Sequence, residues 1–65
     1  MSDTKYVTIS VDLDEDQARA YAQFLKRVCF SDYRSNAASD EETRTMIDAG
    51  ERIRNALAEK GFSPQ

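Results

Sequence analysis

Between Lys5 and Leu13 apolar and polar side chains alternate: Val7, Ile9, Val11 and Leu13 take the odd positions, Tyr6, Thr8, Ser10 and Asp12 the even ones. A period of two carried by β-branched residues predicts a strand over 5–13 with one buried face. From residue 14 the period lengthens. Ala18, Tyr21, Ala22, Leu25, Val28 and Cys29 recur at spacings of three and four, with Phe24 widening the stripe, and predict an amphipathic helix over 15–29. Asp14 stands where its N-cap belongs, with Gln17 three residues on as a capping-box partner. Glu15 and Asp16 fill the first turn and Lys26 and Arg27 the last, which matches the sign of the helix dipole at both ends.

The stretch FSDYRSNAAS, residues 30–39, has no clear period, although Ser31 could cap a short helical turn carrying Tyr33 and Arg34. A second long helix is announced more plainly. Ser39 and Glu42 have capping-box spacing, Asp40 and Glu41 fill the first turn, and Met46, Ile47, Ile53 and Leu57 form the stripe. Gly50 inside that helix costs about 1 kcal/mol relative to alanine, which close approach of the first helix would offset. Gly61 suits a C′ position, Phe62 would fold back in a Schellman ending, and Pro64 bars further helix. The fold class expected is therefore α+β and mostly helical: one N-terminal strand, two main helices, and a short helical or irregular connector. Residues 1–65 form a single small domain, with 1–4 and 63–65 fraying.

A strand alone leaves backbone donors and acceptors unpaired, and its exposed edge recruits another. The partner would be the same segment of a second copy, the C-terminal tail or a strand of a target protein. At 65 residues the chain builds one small core, and such a core supplies only about 3–5 kcal/mol. Pairing with another chain would help it.

Charge and residue types then narrow the chemistry. Twelve acids against nine bases give a net charge of −3, which favours basic partners over nonspecific binding to nucleic acid. The chain has no histidine, so it lacks the usual general base near neutral pH and the commonest metal ligand. A single cysteine makes neither an intrachain disulfide nor a zinc cage, and points to a reducing interior. No apolar run reaches the ~18 residues a membrane span needs, and the N-terminus is not a secretory leader. A cytoplasmic home follows from these features.

Asp12, Asp14 and Asp16 match the first three ligand positions of an EF-hand loop, but Gln17 stands at the glycine position and Gln23 at the closing glutamate. No metal or cofactor is expected. A catalytic carboxylate pair needs one member in an apolar pocket, whereas these acids crowd a helix start. Cys29, between Val28 and Phe30, suits core burial better than nucleophilic work. The expectation is a protein that is not an enzyme.

The phrase VTISVDLDEDQARAYAQFLKR is similar to the opening of the ribbon-helix-helix repressors, which dimerise through a strand and read the major groove. Two features count against DNA binding here. The outward positions Tyr6, Thr8 and Ser10 hold no arginine or lysine, and the connector is longer than that family's tight turn.

The phrases QFLKRVCFSDYRSNA and MIDAGERIRNALAEKGFSP resemble a family of short proteins of unassigned function from bacterial genomes and mobile elements, from Val7 to Pro64. The chain also looks like a small phage-borne or plasmid-borne anti-CRISPR protein directed at a type I surveillance complex, of the C subtype. That resemblance implies an inhibitor whose carboxylates occupy a basic, DNA-holding surface of an effector (Cascade) subunit. The partner-facing charges would be Asp12, Asp14, Glu15, Asp16, Asp40, Glu41 and Glu42, with Tyr33 and Arg34 as anchors. The residues by themselves also allow a plainer reading, in which the acids cap helices, Tyr33 covers the core and Arg34 pairs with a neighbour. A ribbon-helix-helix-like regulator or antitoxin is the alternative.

Overall fold

The computed structural model describes residues 5–62. The fraying expected of 1–4 and 63–65, and the role given to Pro64, lie outside them. Three helices follow one another: α1 (Glu15–Arg27), α2 (Phe30–Ser35) and α3 (Asp40–Glu59).

The expected strand is absent. Residues 5–14 are neither helix nor strand, so the described chain is all-α and the α+β assignment is corrected. The physical reason is pairing. A helix closes its hydrogen bonds within itself, whereas a strand borrows them from a neighbour, and no other part of the described chain has strand character.

Local rules explain the helix starts. Asp14 accepts the Gln17 N–H at 2.7 Å while the Gln17 side chain accepts the Asp14 N–H at 3.0 Å, which completes the capping box read from the sequence. At α3, Ser39 Oγ accepts the Glu42 N–H at 3.1 Å. The Glu42 carboxylate, however, reaches the Ala38 N–H at 2.6 Å.

The end of α3 is a Schellman motif: Phe62 N–H donates to Leu57 O at 2.9 Å and Gly61 N–H to Ala58 O at 3.0 Å. Gly61 takes φ 95°, a value that favours glycine.

Two boundaries differ from the sequence reading. Helix α1 stops at Arg27 rather than residue 29, because Val28 (ψ 132°) and Cys29 (ψ 165°) turn to extended backbone. Cys29, not Ser31, is the N-cap of α2, and its N–H donates to Asp32 Oδ2 at 3.0 Å. The turn carries Cys29 out of the α1 stripe. It is exposed, which overturns the expected burial.

The core is small. Ala18, Ala22 and Leu25 of α1 are the buried apolar residues, and they meet an α3 face on which Thr43 and Gly50 are buried. Met46, Ile47 and Leu57 of the expected stripe are half-buried, whereas Ile53 is exposed. Thr43, wholly enclosed, donates from Oγ1 to Ser39 O at 2.8 Å, so its hydroxyl carries no unpaired-polar penalty.

Gly50 proves to be a seat rather than a flaw. A Cβ there would collide with the Tyr33 hydroxyl and lie 3.6 Å from Leu25 Cδ2. The nearest neighbour thus comes from α2, with the first long helix behind it.

Helices α1 and α3 run antiparallel. Leu25 lies against Gly50, and Arg19, earlier in α1, lies 5.8 Å from the Phe62 ring, beyond the end of α3.

Candidate partner-binding surface

Helix direction decides where the acids go. Seven of the twelve acids fall in residues 12–16 and 40–42, at the starts of two antiparallel helices. Measured from the Leu25–Gly50 contact at 1.5 Å rise per residue, each helix start lies about 15 Å away in opposite directions, which puts the two starts about 30 Å apart along the helix axes. That is several Debye lengths at about 8 Å each in physiological salt. They act as two acidic ends, not one merged face.

Within the clusters some acids already have local work. Asp14 caps α1 and Glu42 ties Ala38 to the start of α3. Asp40 accepts from Arg34 Nε at 2.7 Å, and Arg34 also donates to Ala37 O at 3.2 Å. Asp16 lies 3.6 Å from Arg19, an exposed pair one helical turn apart. Exposed pairs of this kind contribute about 0–1 kcal/mol. Asp12, Glu15 and Glu41 complete the clusters and are exposed.

The two residues named as anchors have structural tasks. Tyr33 is half-buried and seats on Gly50. Arg34 clips α2 to the start of α3 through Asp40. Neither projects as an isolated hot spot.

The more conspicuous surface is apolar, and part of it is the face of residues 5–13 that the alternation predicts to be buried. Val7 is 84% exposed, Ile9 72% and Val11 67%, with Leu13, Tyr21, Phe24 and Phe30 also open to solvent. Tyr21 and Phe24 stack at 5.5 Å between ring centres, giving α1 an exposed apolar strip that flanks its buried alanines. The signal was present. Tyr21 and Phe24 were read into one wide stripe, whereas small Ala18 and Ala22 are what let α3 come close.

A groove of about 640 Å³ opens beside that strip, bounded by Phe24, Val28, Tyr33 and Met46, with Arg27 and Asp32 among its polar residues. It has no convergent acid–base set. Among the described residues no three acidic or cysteine side chains are grouped to hold a metal ion, and no helix is long and apolar enough to cross a membrane.

Comparison with known proteins gives one assignment. No curated protein and no solved structure matches the chain. A family model does match, over residues 1–65, the full length. The chain belongs to DUF7706, a family of unknown function.

Proposed function

We propose that this chain is a non-enzymatic binding protein that inhibits a type I CRISPR effector by presenting carboxylates to a basic surface meant for DNA. The observation that carries the charge reading is the pair of acidic helix starts held at opposite ends of one antiparallel packing unit. Their separation along the helix axes, about 30 Å, approaches the ~34 Å turn of duplex DNA, which supports phosphate-like positions on successive turns. The identity of the partner rests on the sequence resemblance, and geometry supports only its charge. In this reading the protein acts in the host cytoplasm, needs no cofactor and touches no nucleic acid itself.

The test separates charge from fold. Asp12→Asn, Glu15→Gln and Glu41→Gln together remove three charges while keeping Asp14, Ser39, Glu42 and the Arg34–Asp40 pair. A tagged wild-type chain is expected to recover effector subunits from a host expressing a type I system, and the triple variant to recover at least tenfold less. Equal recovery would defeat the mimicry mechanism.

The alternative, a ribbon-helix-helix-like regulator or antitoxin, has less behind it. Helix α2 intervenes between the long helices, and the outward residues Tyr6, Thr8 and Ser10 offer no base.

A further inference from the structure

We propose that two copies of this chain associate through residues 5–13, laid side by side and antiparallel about a two-fold axis at Ser10. Each copy keeps its three-helix fold, and the contact adds a seam between them. The functional reading above plays no part in the argument.

Three observations lead there. The first is a deficit. The described chain buries only Ala18, Ala22 and Leu25 as apolar core while Val7, Ile9 and Val11 stay more than two-thirds exposed. In a small domain so much apolar surface calls for a cover.

The second is self-complementarity. In an extended chain alternate side chains share a face, and a two-fold at Ser10 sets Val7 against the second copy's Leu13 and Ile9 against its Val11. All four apolar positions are matched at once. A closed two-fold contact of this kind uses the same patch on both copies.

The third is charge, which chooses the orientation. One end of the segment carries Lys5, with Arg52 lying 5.6 Å from the Tyr6 ring; the other runs into Asp12, Asp14 and Glu15. Antiparallel pairing brings Lys5 toward the second copy's Glu15, and the Tyr6–Arg52 pair toward its Asp14. Parallel pairing would stack acid on acid and Lys5 on Lys5, and directly opposed like charges are destabilising.

Sedimentation of the full chain is expected to give twice the 7.4 kDa mass. Ile9→Lys should return it to the monomer mass with its helical circular dichroism retained. Cross-linking reads the register without touching the apolar face. In a Cys29→Ser background, Ser10→Cys should link to itself under oxidation. Thr8→Cys should not, because the two Thr8 positions stand about 13 Å apart at 3.3 Å per residue, yet it should link to Asp12→Cys in a mixture. A folded wild-type monomer would overturn the proposal and leave the segment to a target protein or to residues 63–65. Self-linking of Thr8→Cys, or a dimer unchanged by Ile9→Lys, would overturn it equally.

Discussion

Helix α1 and the segment just before it make an instructive pair. Both carry a clean apolar period, of three to four in one and of two in the other, and they adjoin at Asp14. The helix buries Ala18, Ala22 and Leu25, while the segment buries none of Val7, Ile9, Val11 and Leu13. The difference lies in where backbone hydrogen bonds are found. Helical periodicity specifies a structure that satisfies its own backbone, and α1 then needs only one neighbour for its side chains. A period of two specifies half of a structure, and the other half must come from elsewhere.

That contrast can be broken at several points. The largest effect is expected at Leu25, the one large apolar side chain in the buried set: Leu25→Ala should cost about 2–5 kcal/mol. In a domain with so little core that means loss of cooperative melting by circular dichroism. A variant that melts near the wild-type temperature would show that α1–α3 packing does not hold the fold.

Gly50 comes next. Leucine is the better helix former by about 1 kcal/mol, yet it has no room beneath Tyr33, so Gly50→Leu is expected to destabilise by about 1–3 kcal/mol in denaturant titration. A stabilising result would mean that Tyr33 is not seated there.

The smallest effects sharpen the comparison across the Asp14 boundary. Asp14→Ala removes a cap and should cost about 1 kcal/mol, whereas Thr8→Ala, six residues earlier on the solvent side, should stay within about 0.5 kcal/mol. Equal losses at both would show that the segment is already part of the cooperative unit.

The legible parts of this fold were those governed by near neighbours in sequence. Asp14 with Gln17, Ser39 with Glu42, and Gly61 with Phe62 each announce a helix end through contacts three to five residues apart. What escaped depended on partners far along the chain. Cys29 looked like core because it continued a periodic stripe, but the backbone leaves the helix at Val28 and takes the thiol with it. Gly50 read as a close approach of α1, and only the placement of α2 shows the Tyr33 ring as its nearest neighbour. At the candidate surface, the positions of the acids along the chain were plain, but their division between two ends followed from the antiparallel course of α1 and α3. Arg34 was open to either task until Asp40 proved to lie within 2.7 Å.

The seat of Tyr33 on Gly50 also constrains how this chain can vary. Helix α2 is six residues long and is held to α3 by that ring and by the Arg34–Asp40 pair, with only residues 36–39 in between. Inserting even one residue there would lift the ring and swing the guanidinium away together, although both neighbouring caps would survive. A version of this protein with a longer connector must therefore fill the notch at position 50 by other means, and a side chain on residue 50 itself is the shortest route.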